Sequence, residues 1–347
     1  MEKRELLSLL VETYLSGQLR LSPEKAQLLK DYQDCRTVAK GCQIFWCDTC
    51  QKAEVIFNPC NKRGCPSCHK KSQLHWGDKT KKRLLRTGHF HLVFSFPQEV
   101  TQLWLKDERA TVEALFRVVG KAVRKLMKSL GLKMGFILVF QSHGKGMSYK
   151  AHIHCLITDG GLDREGNWQS AGVLALAKMT EWVKEGFGEY QNQKGWDIHV
   201  SRHSRGGDAV VQYLGSRLSG VVTNIDGLSR EGEMVRIQDR GGSVILKQAV
   251  FVERFFKHIP AKGMVTTRNY GLYSNRQSQD YQRAKSELKG LDHDEVPQEP
   301  YKEVCPKCQG ELRLVAVWAA RSKPDFVRWG YGVGPPGHRE MSDGKAS

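Results

Sequence analysis

The chain has 347 residues, which is long enough for two or three modest domains with a sizeable core. Lysine and arginine outnumber aspartate and glutamate by 54 to 37, and the formal charge of +17 favours a polyanionic partner, most simply a nucleic acid. An anionic membrane surface is the competing partner. The sequence has no run of 18 apolar residues and no signal-peptide start, so we expect a soluble cytoplasmic protein rather than a membrane-spanning or secreted one.

The first third of the chain is rich in cysteine. Seven of the ten cysteines lie within residues 35–68, which in a reducing compartment indicates metal binding rather than disulfides. Two Cys-x2-Cys knuckles have the spacing of a tetrahedral thiolate zinc site. We therefore predict a structural zinc module. Its candidate ligands are Cys35, Cys42, Cys47, Cys50, Cys60, Cys65, Cys68 and one histidine, either His69 or His75.

These ligands can be shared between two zinc ions in two ways, and the sequence leaves both open. The first four cysteines could hold one ion and the last three cysteines with the histidine another, or the two sites could be cross-braced. The number of zinc ions, one or two, stays open as well. Basic residues within and after the module predict contact with DNA phosphates, although a solvated helical face has the same composition. The candidates for phosphate contact are Lys62, Arg63, Lys70 and Lys71.

After the module, strand and helix patterns alternate. Strands are predicted at residues 89–96, 134–141, 149–158 and 196–201, and helices at 101–130, 171–186 and 208–219. The order β-α-β-β-α-β-α predicts an α+β fold, an antiparallel sheet with helices packed on one face. Catalytic groups would then lie on the open face.

The predicted strand 149–158 contains His152-Ile-His154. Alternate side chains of a strand share a face, so the two imidazoles point together and form half of a metal site, although exposed histidine pairs show the same pattern. A hairpin register centred between Gly146 and Met147 would place Gln141 opposite His152. The two imidazoles and the amide would form a three-ligand set for a divalent ion, with positions open to phosphate and water.

A second His-x-His motif, His89-Phe-His91, is the alternative metal pair. It has no comparable third ligand in the sequence. We expect these two histidines to line the same face as His152 and His154, because the apolar residues that alternate with them take the core side. Those core-facing residues are Phe90, Leu92, Phe94 and Phe96.

The last third of the chain is less informative. Residues 221–250 predict short strands and residues 251–258 a helix. Cys305-x2-Cys308 is a third knuckle, which could complete a zinc site with the amino-terminal cysteines or be a remnant. The glycine, proline and charge of the last thirty residues predict a mobile tail. The predicted organisation is a helical segment at 1–30, a zinc-binding domain at 31–86, the α+β core at 87–220, an accessory region at 221–300, and a knuckle with tail at 301–347.

Several motifs occur together in one order along the chain. They are Cys35-Arg-Thr, the two knuckles, His89-Phe-His-Leu-Val-Phe, His152-Ile-His-Cys-Leu, Asp159-Gly-Gly161, Tyr213-Leu-Gly, Phe255-Phe-Lys-His258 and Arg268-Asn-Tyr-Gly-Leu272. In this order they resemble the rolling-circle insertion-sequence transposases of the HUH tyrosine-nuclease class, which carry an amino-terminal zinc-binding domain. The resemblance spans residues 30–275.

The resemblance implies an enzyme that cleaves and rejoins single-stranded DNA by tyrosine transesterification. Tyr213 would attack a phosphodiester and become joined to the 5′ phosphate while a 3′ hydroxyl leaves. Mg²⁺ or Mn²⁺, held by His152, His154 and Gln141, would polarise the phosphate, and zinc is assigned to the cysteine module. Basic residues near the tyrosine would favour its phenolate. The candidates for that role are Arg202, Arg205 and Arg217.

Arg217 departs from the pattern of this class. Members with two catalytic tyrosines place the second at that position, so the chain resembles the single-tyrosine branch. The second transfer would then use the freed 3′ hydroxyl, a second protomer, or another tyrosine such as Tyr270 or Tyr273. Related nucleases take their third metal ligand from this helix, so Arg217 also favours Gln141 as that ligand. The substitutes for it are Gln212 and Asp208.

Two other functions compete with the transposase. A plasmid-type rolling-circle replication initiator or relaxase would share the metal site and tyrosine but not the cysteine module. A non-catalytic zinc DNA-binding regulator would need neither the divalent-metal site nor the tyrosine. Under the transposase hypothesis the partner is single-stranded DNA at transposon ends and target, with no membrane, and the protein is associated with the nucleoid in a bacterial cytoplasm. No pattern in the sequence indicates an oligomeric state.

Overall fold

A computed structural model describes residues 1–203, 225–239, 242–288, 303–319 and 328–329. The chain divides into two compact units. The first unit comprises Met1–Arg20 with His69–Asp294, and the second comprises Leu21–Cys68 with Glu295–Ser347. Residues 69–86, which the sequence grouped with the zinc module, thus belong to the first unit, and the last part of the chain joins the cysteine-rich segment.

The helices and strands of the described residues are as follows in chain order. The helices are α1 (Lys3–Leu15), α2 (Pro23–Gln33), α3 (His69–Lys81), α4 (Gln98–Lys106), α5 (Glu108–Leu130), α6 (Leu176–Glu185), α7 (Gln248–His258) and α8 (Gln279–Glu287). The strands are β1 (Gly41–Cys47), β2 (Lys52–Phe57), β3 (His89–Ser95), β4 (Gly135–His143), β5 (Tyr149–Thr158), β6 (Gly160–Leu162), β7 (Trp168–Ser170), β8 (Asp197–His203), β9 (Leu228–Glu231), β10 (Met234–Asp239), β11 (Gly242–Lys247), β12 (Thr267–Gly271), β13 (Arg313–Ala319) and β14 (Arg328–Trp329).

The first unit is built on a five-stranded sheet in the order β12-β4-β5-β3-β8, with every neighbouring pair antiparallel. This confirms the predicted α+β class and the four strands that the sequence indicated. The edge strand β12 was not predicted, because its five residues carry no apolar alternation. It contains the Arg268-Asn-Tyr-Gly271 motif.

Helices α4, α5 and α6 cover one face of this sheet. The apolar stripe of α5 packs on inward-facing residues of the strands, among them Phe94, Phe136 and Ile153. The single helix predicted over residues 101–130 is two helices. Asp107 has extended backbone angles (φ −138°, ψ 93°), and its side chain caps α5 by accepting a hydrogen bond from the Ala110 N–H at 2.9 Å. An acidic N-cap therefore starts a new helix inside what the sequence shows as one periodic stretch.

One end of the opposite face of the sheet is packed by apolar side chains. There Ile137, Val139 and Leu156 pack with Tyr273 and with Tyr281 of α8 in a second apolar cluster. The Ser278 hydroxyl caps α8 at Tyr281 N–H. The end of this face that bears Gln141, His152 and His154 lies outside that cluster.

The second unit contains a sheet in the order β14-β13-β1-β2. Strands β1 and β2 form a hairpin that closes at Cys47 and Lys52, so the first cysteine knuckle is its turn. Strand β13, which comes from the far end of the chain, pairs antiparallel with β1 from Gly41–Ala319 to Trp46–Arg313. The second unit is thus assembled from two segments that are distant in sequence.

The remaining described elements agree with the sequence patterns. The short strands predicted within residues 221–250 are β9, β10 and β11, which form one antiparallel sheet. The predicted helix at 251–258 is α7, which begins three residues earlier at Gln248. Predicted helix 171–186 begins only at Leu176, because Gly172 adopts a left-handed conformation with φ 62°. None of the described helices combines the length and apolarity needed to cross a bilayer.

Candidate functional site

The β4–β5 hairpin brings together the three side chains that the sequence predicts as metal ligands. Gln141 lies directly opposite His152, and Val139 lies opposite His154. This is the predicted register. Because cross-strand partners share a face, Gln141, His152 and His154 project from one side of the sheet. The alternating residues Ala151, Ile153 and Cys155 face the helices, where they are fully buried.

The cluster is polar yet almost completely covered. The exposed fraction is 9% for His152, 3% for His154 and 3% for Gln141. The amide Nε2 of Gln141 is buried and has no hydrogen-bond partner among the described residues. A buried amide N–H without a hydrogen-bond partner lowers stability by about 1–3 kcal/mol, whereas an apolar side chain at this position would carry no such cost. The cost is consistent with a site that holds a polar ligand.

A hydrogen bond determines the tautomer of His152. Its Nδ1 lies 2.9 Å from the carbonyl oxygen of Lys150. A carbonyl can only accept, so Nδ1 carries the proton and Nε2 keeps its lone pair. Its ring centroid lies 4.9 Å from that of His154, with the rings nearly at right angles. In this tautomer Nε2 is the acceptor nitrogen of the ring, the atom that would bind a cation.

His154 is held by a third histidine on the neighbouring strand β3. His91 Nε2 lies 2.8 Å from His154 Nδ1, and the two rings stack with centroids 5.1 Å apart. For His154 to bind an ion through Nε2, its Nδ1 must carry the proton and donate it to His91 Nε2. The geometry permits this arrangement, in which His91 orients His154. We predicted that His91 lies on the same face of the sheet as His152 and His154, and the structure confirms it. His91 pairs with Leu156, which is two residues after His154 and so shares its face.

His89, the other member of the alternative metal pair, has a structural role. Its Nδ1 lies 3.0 Å from the Thr87 carbonyl oxygen, and its Nε2 lies 2.7 Å from the hydroxyl of Tyr273. The Tyr273 hydroxyl donates to His89 and accepts from the Leu85 N–H at 3.2 Å. Both ring nitrogens of His89 therefore take part in a buried network, and the ring itself has no exposed surface.

The two tyrosines considered for a second catalytic step do not face the candidate site. Tyr273 is fully buried, and its burial raises its pKa well above the ordinary value. Tyr270 stacks on Phe136 with centroids 4.8 Å apart, under the guanidinium of Arg124. It therefore lies on the helix-covered side of the sheet, opposite the histidines. Neither phenol is placed to attack a phosphate bound by His152 and His154.

Other predicted site residues lie elsewhere or outside the described residues. Tyr213, Arg205, Arg217, Gln212 and Asp208 fall in residues 204–224, which the structure does not describe. Arg202 lies in β8, where it pairs with Phe90 of β3. The Lys62 side chain is 44% exposed, and its ammonium lies 3.6 Å from the Asp31 carboxylate. Arg63 is exposed, and its backbone carbonyl accepts a hydrogen bond from the Tyr32 hydroxyl. His69, Lys70 and Lys71 begin α3, and His75 is exposed on it.

The predicted zinc ligands divide into two groups of four thiols, both in the second unit. One group is Cys35, Cys60, Cys65 and Cys68, and the other is Cys47, Cys50, Cys305 and Cys308. Within each group the sulfur atoms lie within 4.8 Å of one another. This division differs from the sequential one, because the hairpin turn at Cys47–Cys50 faces the knuckle at Cys305–Cys308. Cys42 belongs to neither group: it lies within β1, paired with Phe57 and Trp318.

Backbone N–H groups are directed at the sulfur atoms of several of these cysteines. The Cys60 N–H donates to Cys35 Sγ, and the Cys50 N–H to Cys47 Sγ, each at 3.4 Å. The N–H groups of Cys308 and Lys307 lower the pKa of the Cys305 thiol to about 7. Thiolate is the form that binds zinc, so amides directed at sulfur are expected in a zinc site.

Comparisons with known proteins match the chain to transposases. Residues 7–96 match the family described as "Transposase zinc-binding domain", and residues 135–181 and 175–280 match the family described as "Putative transposase". The chain is 23% identical to "Putative transposase y4qJ" of Sinorhizobium fredii, over 90% of this chain and 94% of that protein. It is 26% identical to "Transposase for insertion sequence element IS801" of Pseudomonas savastanoi pv. phaseolicola, over 70% of this chain and 68% of that protein. No solved structure matches the chain.

Proposed function

Because the chain belongs to the insertion-sequence transposases that carry an amino-terminal zinc-binding domain, we propose that it cuts and rejoins single-stranded DNA through a covalent tyrosine intermediate. Transposases of this family are DNA-cleaving enzymes. The observation that carries the proposal is the buried cluster of His152, His154 and Gln141 on one face of the sheet. Its substrate would be single-stranded DNA at transposon ends and target, which would associate the protein with the nucleoid of a bacterial cell.

The proposed nucleophile is the hydroxyl of Tyr213. Its oxygen attacks phosphorus, the new phosphotyrosine bond forms at the 5′ phosphate, and the bond from phosphorus to the 3′ oxygen breaks. The phenol proton is lost to a base and the departing 3′ oxygen gains one, so charge and atoms balance. One phosphodiester replaces another, which keeps the bond available for rejoining. The free phenol has a pKa near 10, so it needs help to ionise at neutral pH.

His152, His154 and Gln141 are the residues that would hold a divalent cation. The donor set fits Mg²⁺ or Mn²⁺, because it offers a neutral amide oxygen and two imidazoles and leaves positions open. The placement of all three side chains on one buried face of the sheet supports this fit. When bound, such an ion polarises the scissile phosphate and offsets charge that develops on its oxygens. The protein's own contribution is to hold the donors rigidly on two paired strands and to fix the imidazole tautomers.

Charge supports a nucleic-acid substrate. The excess of 17 positive charges raises the local concentration of a polyanion and should make binding weaken as salt rises. Lys62 and Arg63 in the zinc module are exposed at the surface and are proposed to contact phosphates, as are Lys70 and Lys71, which follow them in sequence. Arg205 and Arg217 are proposed to favour the Tyr213 phenolate.

The placement of Tyr270 and Tyr273 supports a single-tyrosine mechanism. Both phenols are committed to packing or hydrogen bonding away from the histidine cluster. The second strand transfer would then use the 3′ hydroxyl released in the first step, or the Tyr213 of a second protomer.

The test is a cleavage assay on labelled single-stranded DNA that contains the ends of the element, with Mg²⁺ or Mn²⁺. We expect the parent protein to form a covalent DNA adduct that survives denaturing electrophoresis, and Tyr213→Phe to form none while it still binds the DNA. Tyr190→Phe, at a half-buried tyrosine outside the sheet, is the matched control and should retain the adduct. An adduct on Tyr213→Phe would assign the nucleophile to another tyrosine and overturn this part of the proposal.

The ion site is tested in the same assay. His154→Ala should reduce adduct formation by at least two orders of magnitude at fixed Mn²⁺, because loss of one of three ligands weakens ion binding. His75→Ala, on the exposed face of α3, should leave it unchanged. Equal activity of His154→Ala and the parent would show that the cluster does not hold the catalytic ion.

A further inference from the structure

The knuckle near the end of the chain lies against the first amino-terminal knuckle. Cys47 Sγ is 3.5 Å from Cys308 Sγ, and Cys50 Sγ is 3.8 Å from Cys305 Sγ. A disulfide has its sulfurs about 2.05 Å apart, so these pairs are not disulfides. Four sulfurs at about 2.3 Å from a central zinc ion stand about 3.8 Å from one another. The observed separations are those of a tetrahedral thiolate site.

The two knuckles have the same local structure. Both read Cys-x-x-Cys-Gln, and in both the glutamine has a left-handed backbone, with φ 53° at Gln51 and 60° at Gln309. In both, the N–H of that glutamine donates to the carbonyl of the first cysteine at 2.9 Å. Backbone N–H groups also point at the first sulfur of each knuckle. A non-glycine residue with positive φ is uncommon, so the repetition of this turn indicates two halves built for one purpose.

The framework around the four thiols holds them in place. Strand β13 pairs with β1 along most of its length, and Phe45 and Leu312 pack beside the buried Cys47 and Cys305. Arg313 lies 3.5 Å from Asp48, within the first knuckle. Cys305 N–H also donates to the Gly310 carbonyl at 2.8 Å, which closes the second knuckle on itself. The proximity of the two knuckles therefore follows from sheet pairing rather than from a chance approach of a tail.

We propose that Cys47, Cys50, Cys305 and Cys308 form a second structural zinc site, shared between the amino-terminal module and the knuckle near the end of the chain. Cys35, Cys60, Cys65 and Cys68 would hold the first ion. The family zinc-binding match ends at residue 96, so this site extends the zinc-binding module to a segment more than 200 residues further along. Each thiol that enters the site loses its proton, and the ion links the two segments of the second unit.

The first test is the metal content of the purified full-length protein. We expect about two zinc ions per chain in the parent and about one in the double variant Cys305→Ser, Cys308→Ser. Cys42→Ser is the matched control, because Cys42 is a buried cysteine of the same sheet that belongs to neither group, and it should keep about two. One zinc in the parent, or an unchanged count in the double variant, would overturn the proposal.

A second test does not depend on how well the double variant folds. Cys308 is exposed, so a free thiol there should react rapidly with an alkylating reagent. As a zinc ligand it should be protected in the native protein and become reactive when a chelator is added. Cys308→His should retain about two zinc ions, because imidazole replaces thiolate as a ligand, whereas Cys308→Ser should lose one. Rapid alkylation of Cys308 in the zinc-loaded parent would contradict the site.

Discussion

The candidate site has a supporting residue that its sequence motif does not include. His91 lies one strand away from the His152–His154 pair and contacts His154 Nδ1 at 2.8 Å. A metal ligand whose second nitrogen is fixed binds more tightly, because ring rotation and the wrong tautomer are both excluded. His91 is therefore a positioning residue in the proposed mechanism rather than a ligand.

We predict that His91→Leu lowers the affinity of the site for Mn²⁺ about 10–100-fold, with adduct formation recovering at high Mn²⁺. The measurement is the Mn²⁺ concentration that gives half-maximal adduct formation. His91→Gln should recover most of the affinity, because its amide oxygen can accept the His154 Nδ1–H. If the leucine and glutamine variants are equally impaired, the role of His91 is in packing. If both match the parent, the hydrogen bond has no role in the ion site.

His258, from the Phe255-Phe-Lys-His258 motif, has a structural role. It accepts from the Ser142 hydroxyl at 2.9 Å and donates to the Met147 carbonyl at 3.0 Å. Burial lowers its pKa to about 4, so it stays neutral under ordinary conditions. The ring stacks on Trp104 and fastens α7 to the end of the β4–β5 hairpin. The motif thus packs on the helix-covered face of the sheet, opposite the face that bears the proposed metal ligands.

At the scale of elements, the hairpin shows what the sequence could determine. Alternation and the turn at Gly146 and Met147 were enough to predict that Gln141 lies opposite His152, because a one-residue slip would expose the apolar residues of β5. The break between α4 and α5 could not be predicted from periodicity, since it depends on one capping side chain. Strand β12 could not be predicted either, because an edge strand of five residues is defined by its partner and not by its own pattern.

Strand β12 ends at Gly271, and the structure explains why this position is a glycine. Gly271 has φ 57°, and a Cβ there would lie 2.0 Å from the backbone oxygen of Met134, which accepts the Leu272 N–H. A side chain would push β12 away from β4 and disturb the strand that carries Gln141. The positive φ and the close approach of the Met134 carbonyl therefore both favour glycine at this position.

We predict that Gly271→Ala lowers the free energy of unfolding of the first unit by roughly 2–4 kcal/mol, the sum of the strain from positive φ and the steric clash. Gly131→Ala is the control, because Gly131 has φ 69° but no atom within 4 Å of its Cβ position. It should cost only the strain, about 1 kcal/mol. Urea unfolding followed by tryptophan fluorescence measures both. Equal costs at the two positions would mean that β12 moves freely enough to absorb the methyl group.

At the scale of the whole molecule, the two units differ in how they are stabilised. The first has a large apolar core between the sheet and α4, α5 and α6. In the second, the cluster around β1 has Phe45, Cys47, Cys305 and Leu312 as its buried members, and two of these four are cysteines. By itself this cluster is too small to offset the entropy of ordering two separate chain segments. The cysteines themselves are visible in the sequence. That Cys47 and Cys50 lie beside Cys305 and Cys308 could not be predicted, because it depends on the pairing of β13 with β1, and a strand's own residues do not identify its partner.

The stability of the second unit should therefore depend on metal, while that of the first should not. We predict that a strong zinc chelator abolishes hydrogen-exchange protection in β1, β2 and β13 and leaves protection in β3, β4 and β5 unchanged, because binding free energy for structural zinc is folding free energy. Amide exchange measured by mass spectrometry, with and without chelator, resolves the two sets of strands. Restoring zinc should restore protection, which separates metal loss from irreversible damage. Uniform loss across both units would show that they unfold as one cooperative body, and unchanged protection in β1 would show that packing alone holds the second unit together.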